Sequence, residues 1–378
     1  MPDPPLRVLN LFVNMDRGGA ETLVMNHYRH LDRSRVQFDF LVQRAHRGAY
    51  EDEIEALGGH IFRVPPLAPS SFLEHQAQLR AFFQGHPGYP IVHGHCSEVG
   101  CFAYREAARA GVRVRIAHAH LAPAGLDWKS LPRWFLKKLG NRWSTHAFAC
   151  SEVAAAWLFG PGHAYQPMAN AIDTRLFRHD PERRLRTRSA LDIAPTTAVL
   201  GHIGRFDPQK NHERLLSIFD SFSAMHPDSI LLLVGSGALR PAMEARAEAL
   251  GLVDKVRFLG TRDDTPALLD AMDAFLFPSR YEGLPVTVIE AQASGLPIVL
   301  SSSISRECDL TGALAFLPLA TPDEIWAKAV LAAAQQGRAQ EADRLVAAAG
   351  FDIEQGAQWL LDWYEAAHAS ASADGGSQ

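Results

Sequence analysis

Short apolar runs alternate with amphipathic stretches along the first half of the chain. Runs of four to seven residues rich in Val, Ile, Leu and Phe are typical of strands in a buried parallel sheet. The stretch 21–31 instead keeps Leu23, Val24 and Leu31 on one face, which predicts a helix. Strands are predicted at 7–13, 36–42, 61–64, 91–95, 113–117 and 147–150, with helices between them.

The same alternation repeats after a charged, proline-bearing stretch at 170–197. There the predicted strands are 198–203, 230–234, 255–259, 274–277 and 297–300. Strands that alternate with helices through short loops predict parallel sheets with helices on both faces. We therefore expect an α/β protein in which two Rossmann-like domains face each other across a cleft. The predicted domains are 1–170 and 171–350, followed by a helix at 351–368 and a disordered tail at 369–378.

The length, net charge and cysteine content of the chain limit the classes of function that it can have. A length of 378 residues suits two domains, and a net charge of −5 gives no electrostatic case for nucleic acid as a partner. Four cysteines without a C-x-x-C pair indicate neither a zinc ribbon nor a disulfide framework, which fits a reduced cytosol. Because the sequence has no basic leader and no run of about 20 apolar residues, we expect a cytoplasmic protein, soluble or peripheral at the inner face of the membrane.

Two carboxylates, Glu282 and Glu290, lie in the most informative segment of the chain. Gly283 and Pro285 argue against one continuous helix, and Pro285 suits the first position of a new helix. Glu282 would then lie in the loop and Glu290 on the helix, while the free N–H groups near 284–287 favour an anion. This arrangement fits a ligand that is part phosphate and part polyol. The alternative is a surface turn with solvated glutamates.

A second polar cluster follows the predicted strand at 198–203. A glycine turn begins at Gly204 and carries Arg205 and Lys210 away from the carboxyl end of that strand. In an open parallel sheet this edge binds ligands, and a guanidinium together with a flexible ammonium suits a diphosphate. The alternative is a solvated loop in which Arg205 pairs with Asp207.

These segments together resemble the nucleotide-sugar domain of family 4 glycosyltransferases. The resemblance covers about residues 6–365 and is closest to the branch that makes capsule and exopolysaccharide. Ser236 and Ala171 depart from the family pattern, which favours an acidic residue and a glycine there. The matching motifs are Gly204-Arg205 with Lys210, Leu232 to Gly237, Phe258-Leu259-Gly260, Phe277-Pro278-Ser279, Glu282-Gly283-Leu284-Pro285 through Glu290, and the segments 14–22 and 168–173.

The resemblance implies the GT-B fold and a retaining transferase. It would move a sugar from a nucleoside diphosphate donor, with UDP favoured, to a glycan or lipid-linked glycan during cell-surface polysaccharide synthesis. The family implies that Glu290 binds the ribose and that Glu282 holds the donor sugar. No cofactor or metal is expected, and a divalent ion at Asp263 and Asp264 is the alternative. The residues implied to bind the donor are Gly18, Gly19, Gly204, Arg205, Lys210, Gly235, Glu282, Gly283, Leu284, Pro285 and Glu290.

Two predicted strands of the first half end in pairs of histidines. His118 and His120 follow the strand at 113–117, where the family places a histidine near the reacting face of the sugar. His120 matches that position best. The predicted catalytic residues are therefore His120, Glu282, Arg205 and Lys210.

The acceptor side of the site is expected to include His118 together with His93 and His95, which end the preceding strand. The alternative is a zinc site that also uses Cys96 and Cys101, although no tetrahedral ligand spacing recurs there. Elsewhere in the first half, Gly18 and Gly19 would let the backbone approach the donor phosphate or the acceptor, unless they only form a tight turn.

Two further segments bear on partners and architecture. Segment 131–143 mixes basic residues with aromatic ones in a helical pattern, as interfacial helices do, and would rest on the inner leaflet if the acceptor is lipid-linked. The alternative is a helix that buries Trp134 and Leu139. The predicted helix 351–368 resembles the family's terminal helix that crosses back to the first domain, the alternative being that it packs on its own domain.

Two other function classes stay open at this point. A sugar-nucleotide epimerase or hydrolase on the same fold would use similar phosphate contacts, with water or no acceptor. A protein that binds a nucleotide sugar without turnover would need only part of the donor set. The presence of Arg205, Lys210, Glu282 and Glu290 together favours the glycosyltransferase.

Overall fold

The computed structural model describes residues 4–120 and 130–373, with the backbone alone at 130–132. Within it the chain divides into two compact units, each with its own sheet and core. Unit 1 contains the chain up to Ala171 and again from Ile353 onward, and unit 2 spans Ile172–Asp352. The predicted boundaries after residues 170 and 350 fall within two residues of these limits.

Unit 1 is built on a seven-stranded sheet in which all described strands are parallel, in the order β3-β2-β1-β4-β5-β6-β7. Chain order reverses between β1 and β4, and ligands bind at such a switch point in open α/β sheets. The strands are β1 Leu6–Phe12, β2 Val36–Val42, β3 Ile61–Arg63, β4 Ile91–Gly94, β5 Val114–Ala119, β6 His146–Ala149 and β7 Gln166–Pro167. The helices that connect them are α1 Gly19–His30, α2 Glu51–Ala56, α3 Phe72–Gly85, α4 Cys101–Arg109, α5 Ser130–Trp143 and α6 Glu152–Phe159.

Unit 2 repeats this plan with a six-stranded parallel sheet in the order β10-β9-β8-β11-β12-β13. Its switch point lies between β8 and β11. The strands are β8 Ala198–Ile203, β9 Ser229–Val234, β10 Val256–Gly260, β11 Ala274–Phe277, β12 Ile298–Ser301 and β13 Leu314–Leu317. The helices are α7 Thr174–Phe177, α8 Pro181–Ala190, α9 His212–Met225, α10 Arg240–Ala249, α11 Thr265–Ala271, α12 Val286–Ala293, α13 Asp323–Gln336 and α14 Ala342–Val346.

The predicted alternation of strands and helices is confirmed in both units. Each predicted strand is present with limits within two residues of those expected, and the helix predicted at 21–31 is α1. Two strands were not predicted, β7 and β13. The first has only two residues, and the second is partly buried along its whole length, so neither gives a pattern of apolar and polar positions.

The last helix, α15 Ile353–Ala373, is part of unit 1. Leu360, Leu361 and Tyr364 are buried in the core of that unit beside residues of α1. The prediction of a disordered tail is wrong for residues 369–373, which continue the helix, because this stretch alternates alanine with serine and contains no glycine or proline. The rest of the predicted tail, 374–378, lies outside the described residues.

Candidate active site

At the carboxyl edge of the unit 2 sheet, two glycines let neighbouring loops approach each other. A Cβ atom on Gly235, whose φ is +137°, would lie 2.1 Å from the carbonyl oxygen of Gly204. A Cβ atom on Gly204 would lie 3.2 Å from the side-chain carbons of Lys210 and 2.9 Å from Nε2 of His202. Gly235 therefore needs to be glycine, whereas a Cβ atom on Gly204 would press on neighbouring side chains. The turn after β8 brings the stem of Lys210 close to the backbone.

Lys210 reaches the loop before α12, where its ammonium lies 2.8 Å from Oε1 of Glu282. Both side chains are mostly buried, with 14% and 8% of their surfaces exposed. The amide of Gln209 donates a hydrogen bond of 3.0 Å to Oε2 of Glu282, so both carboxylate oxygens are fixed. Nζ of Lys210 also lies 4.8 Å from the centre of the Phe277 ring. Since an ammonium has three N–H donors, this arrangement leaves donor capacity for a ligand.

The helix after this loop carries the second predicted carboxyl. Pro285 lies one residue before the first helical residue of α12, so the prediction that it occupies the first helical position is wrong by one residue. Glu282 lies in the loop and Glu290 on α12, as predicted. Glu290 has no hydrogen-bond or ion-pair partner within residues 4–120 and 130–373. Burial without a partner raises the pKa of Glu290 to about 8, so its carboxyl group is mainly protonated at neutral pH.

Arg205 is held more loosely than Lys210. Its side chain is 71% exposed and its guanidinium lies 3.6 Å from the carboxylate of Asp207, the pairing named as the alternative to a ligand site. Asp207 also accepts a hydrogen bond of 3.1 Å from the backbone N–H of Lys210. An exposed ion pair of this length contributes little to stability, so Arg205 is able to turn toward an anion at small cost.

Two buried histidines lie close to the turn that follows β8. Nδ1 of His202 lies 2.9 Å from the carbonyl oxygen of Leu276, and the ring of His212 stacks on Phe206 with centroids 4.0 Å apart. Burial lowers the pKa of both rings, that of His212 to about 4, so they are neutral at pH 7. They fill space behind the turn without adding charge to it.

In unit 1 the four predicted histidines come together on one face of the sheet, at the carboxyl ends of β4 and β5. We call this set, His93, His95, His118 and His120, the imidazole ladder. Nε2 of His93 lies 3.1 Å from Nδ1 of His118, and Nδ1 of His95 lies 2.9 Å from Nε2 of His120. Each hydrogen-bonded pair is one rung of the ladder, and the two rungs stack on each other. The ring centroids lie 4.3 Å apart for the pair His93 and His95 on β4, and 4.1 Å apart for the pair His118 and His120 on β5.

The ladder is electrically neutral. Burial lowers the pKa of all four rings, and that of His120 falls to about 3. The hydroxyl of Tyr364 closes one rung, at 2.6 Å from Nδ1 of His93. A set of neutral rings of this kind offers fixed hydrogen-bond donors and acceptors rather than positive charge.

The zinc alternative can be compared with this geometry. Ring nitrogens of His93, His95 and His118 lie within 4.8 Å of one another, and this group does not include Cys96 or Cys101. Ligand nitrogens around tetrahedral zinc lie closer, at about 3.3 Å for Zn–N bonds of about 2.0 Å. The rings would have to shift to hold zinc, and the prediction of no metal stays a prediction.

Comparison with known proteins identifies the family. Residues 18–165 match the model of the glycosyl transferase 4-like domain, and residues 184–313 match that of glycosyl transferases group 1. A putative glycosyltransferase, EpsF of Bacillus subtilis, is 36% identical over 368 residues, which cover 95% of this chain and 96% of that protein. The chain belongs to family 4 of the glycosyltransferases.

Further comparisons agree with this assignment. The glycosyltransferase is 27% identical over 236 residues to an Escherichia coli UDP-Gal:alpha-D-GlcNAc-diphosphoundecaprenol alpha-1,3-galactosyltransferase, covering 58% of this chain and 59% of that enzyme. Among solved structures, Anabaena Alr3699/HepE in complex with UDP matches with a TM-score of 0.78 and 20% identity, covering 95% of this chain and all of that one. At this identity the match shows the fold, and the predicted GT-B architecture of two parallel-sheet domains is confirmed.

The glycines at the start of α1 have different surroundings. Gly18 precedes the first helical residue, Gly19, and a Cβ atom on Gly18 would lie 2.3 Å from the carboxylate of Glu21. A Cβ atom on Gly19 would meet no described atom within 4 Å. The Glu21 side chain is flexible and could move aside, so this contact does not by itself require glycine, and the role of both glycines toward a ligand stays a prediction.

Helix α5 exposes part of the predicted basic and aromatic segment. Trp134 and Phe135 are 51% and 62% exposed, and the ammonium of Lys138 lies 4.0 Å from the centre of the Trp134 ring. Leu139 packs against the core, so the alternative in which the helix buries both Trp134 and Leu139 is wrong for Trp134. Across the described residues, no helix combines the length and the apolar character that a membrane crossing requires.

Three polar groups near these sites were missed from the sequence. The hydroxyls of Ser279 and Thr287 are buried on either side of the loop before α12, and neither has a hydrogen-bond partner among the described residues. In unit 1, Asn10 is fully buried beside the imidazole ladder. Ser279 and Thr287 lie inside segments already matched to the family, which is a usable signal, whereas Asn10 lies 83 positions before the first histidine of the ladder and gives none.

Proposed function

We propose that this glycosyltransferase moves a sugar from a UDP-sugar to a glycan or lipid-linked glycan acceptor, with retention of anomeric configuration and without a metal. The observation that carries the proposal is the contact between Lys210 and Glu282 at the start of α12. It holds an ammonium with free donor capacity next to a fixed carboxylate, in the loop that leads into a helix whose first N–H groups favour an anion. A diphosphate and a sugar need such a combination.

The chemistry assigned to these residues follows the charge that develops. As the bond between the anomeric carbon and the diphosphate oxygen breaks, the electron pair stays with the UDP. Lys210, Arg205 and the start of α12 stabilise this negative charge, which is where preorganised groups accelerate a reaction most. The acceptor oxygen bonds to the anomeric carbon on the same face, and its proton goes to the leaving phosphate.

The remaining contacts are assigned by chemical type. Glu290 binds the ribose hydroxyls, and a carboxyl group that lacks a protein partner is free to do so. Glu282, fixed by Lys210 and Gln209, holds hydroxyls of the donor sugar. For His120 we propose the contact with the sugar that the family implies.

UDP and the acceptor class are supported by the named relatives. The E. coli relative is named for UDP-Gal and a diphosphoundecaprenol acceptor, and HepE of Anabaena was solved with UDP. A Vi polysaccharide biosynthesis protein of Salmonella typhi is 35% identical over 120 residues, which cover 32% of this chain and 21% of that protein. These names favour a role in polysaccharide or lipid-linked glycan synthesis.

The test is release of UDP. The protein is incubated with UDP-glucose, UDP-galactose or UDP-N-acetylglucosamine, each with and without lipid-linked sugar acceptors, and UDP and product are both measured. We expect UDP release that depends on acceptor and yields an α-linked product from an α-linked donor. Equal release without acceptor would indicate a hydrolase, an altered sugar nucleotide an epimerase, and binding without release a sensor.

We further propose that α5 rests on an anionic membrane surface when the acceptor is lipid-linked. Two exposed aromatic rings beside lysines are the groups that bind at the interface between headgroups and acyl chains. Flotation with vesicles that contain phosphatidylglycerol should recover the wild type and lose the W134A/F135A double variant. Leu185→Ala, at an exposed apolar position of unit 2, is the matched control and should float like the wild type. Equal recovery with neutral vesicles would refute the proposal.

A further inference from the structure

The imidazole ladder ends in an asparagine that the proposed reaction has not used. Asn10 belongs to β1, is paired in register with His93 of β4, and is fully buried between apolar neighbours. Its Oδ1 lies 3.3 Å from Nε2 of His95, and its amide nitrogen has no partner among the described residues. A buried amide is costly unless it makes a useful hydrogen bond, so this contact calls for an explanation.

The contact fixes the direction of every hydrogen bond in its rung. A carbonyl oxygen only accepts, so the proton of His95 lies on Nε2. Because His95 is neutral, its Nδ1 then carries a lone pair and accepts from Nε2 of His120 at 2.9 Å. His120 is neutral as well, so its remaining nitrogen, Nδ1, is an acceptor.

We propose that Asn10 is a positioning residue that acts through His95 to keep the proton of His120 on Nε2 and leave Nδ1 as an acceptor. The catalytic consequence rests on the proposed function, in which His120 contacts the sugar. An acceptor at Nδ1 can take a hydrogen bond from a sugar hydroxyl, and the wrong tautomer would present an N–H there instead.

The two rungs of the ladder differ in where they end. The rung from Tyr364 through His93 ends at Nε2 of His118, which is buried and has no partner among the described residues. The rung from Asn10 ends at His120, which is partly exposed at the carboxyl edge of the sheet. Only the second rung can therefore present a ring nitrogen to a ligand, and Asn10 is the residue that sets its proton.

The tautomer can be read directly by NMR on the full-length protein without ligand. Histidine is labelled with nitrogen-15, and the His120 signals are assigned by their loss in His120→Gln. We expect two-bond spectra to show the proton on Nε2 in the wild type and a mixture of tautomers in Asn10→Leu. Tyr364→Phe, which removes the buried hydrogen bond of the other rung, is the matched control and should leave His120 unchanged.

Three results would overturn the proposal. The first is a wild-type proton on Nδ1 of His120, which the opposite orientation of the Asn10 amide would produce. The second is an unchanged His120 tautomer in Asn10→Leu. The third is a stoichiometric bound metal whose removal shifts the His120 signals. If Asn10→Leu does not fold, His95→Phe serves instead, because a phenyl ring keeps the stacking on Phe12 but cannot accept a hydrogen bond. It should give the same mixture.

Kinetics then test the catalytic consequence. We expect Asn10→Leu to lower kcat for the preferred UDP-sugar about tenfold with little change in donor KM, as loss of one oriented hydrogen bond would. Tyr364→Phe should keep kcat near the wild-type value. A changed tautomer with unchanged kcat would refute the positioning role. If the wild type turns over no UDP-sugar, the proposed function fails while the NMR result still decides the tautomer.

Discussion

The carboxyl edges of the two sheets share an architecture and differ in their chemistry. In unit 1 the edge of β4 and β5 carries neutral imidazoles that bond to one another. In unit 2 the loops after β8 and β11 bring an ammonium and a carboxylate to 2.8 Å. The same type of parallel sheet therefore provides a preset hydrogen-bonding surface in one unit and a charged surface in the other.

The difference follows from which buried groups have a partner of opposite charge. Lys210 and Glu282 are mostly buried as a pair, whereas the ladder has no described acid beside it and its rings lose their protons. Glu290 follows the same rule within unit 2, because it lacks a partner and its pKa rises to about 8. Burial thus favours the neutral form of an ionisable side chain that has no partner, whereas two side chains of opposite charge can be buried together as an ion pair.

The largest expected effect is a difference in acid stability between the units. Rings that are neutral when folded and protonate when unfolded stabilise the fold above pH 6.5, and this contribution is lost as the pH falls below that value. At pH 5.5 each such ring lowers the free energy of unfolding by about 1.4 kcal/mol. Unit 1 has three more of these rings than unit 2, so it should lose about 4 kcal/mol more. Among the described residues, the mostly buried rings with lowered pKa are His27, His93, His95, His118 and His120 in unit 1 and His202 and His212 in unit 2.

Hydrogen–deuterium exchange of β4 and β5 compared with β8 and β9 measures this difference. Protection should fall more in unit 1 than in unit 2 between pH 7 and pH 5.5, and unit 1 should lose none between pH 7 and pH 8. Equal loss of protection in both units at pH 5.5 would contradict the assignment of a neutral ladder.

The next effect concerns the charged edge. Lys210→Ala should lower kcat/KM about 10²–10³-fold, the usual loss when one preorganised charge-stabilising group is removed. Calorimetry should show weaker UDP binding as well, because the lysine contacts the diphosphate both in the bound donor and in the transition state. Lys328→Ala, at an exposed position of α13, is the matched control. Wild-type UDP affinity in the Lys210 variant would exclude Lys210 from the diphosphate site.

The pKa of Glu290 tests whether burial favours the neutral form of an ionisable side chain that has no partner. Since its folded pKa of about 8 lies above the ordinary 4.5, the folded state holds a proton that the unfolded state lacks, and stability falls as the pH rises between these values. From pH 6 to pH 7.5 this amounts to about 2 kcal/mol. Over this range Glu290→Gln should gain about 2 kcal/mol of stability relative to the wild type in thermal unfolding, while Glu248→Gln, an exposed control, should follow the wild type. Identical pH profiles for the wild type and Glu290→Gln would contradict the raised pKa.

The smallest expected effect belongs to Arg205, which is exposed and loosely paired. Arg205→Ala should lower kcat/KM about tenfold, and added salt should reduce the difference from the wild type because an exposed charge is screened. Arg262→Ala removes another partly exposed arginine, paired with Asp264, and should have no effect on turnover. A loss as large as that of Lys210→Ala would mean that Arg205 is fixed by the ligand.

The sequence was sufficient for most of the fold and for part of the site. Apolar runs between turns identified eleven of the thirteen described strands, and the Glu282 and Lys210 motifs were recognised one by one. The rung from Asn10 could not be predicted, because it depends on β1, β4 and β5 lying side by side in the sheet. Likewise, the raised pKa of Glu290 results from how the surrounding chain packs, which no local pattern reveals.

The central claim is that the start of α12, with Lys210 and Glu282, is where this glycosyltransferase binds the diphosphate of its donor. A crystal structure of the protein with UDP tests it most directly. We predict the diphosphate within hydrogen-bond distance of Nζ of Lys210 and of the backbone N–H groups near 284–287, with the ribose at Glu290. UDP bound elsewhere, with this position filled only by solvent, would contradict the account.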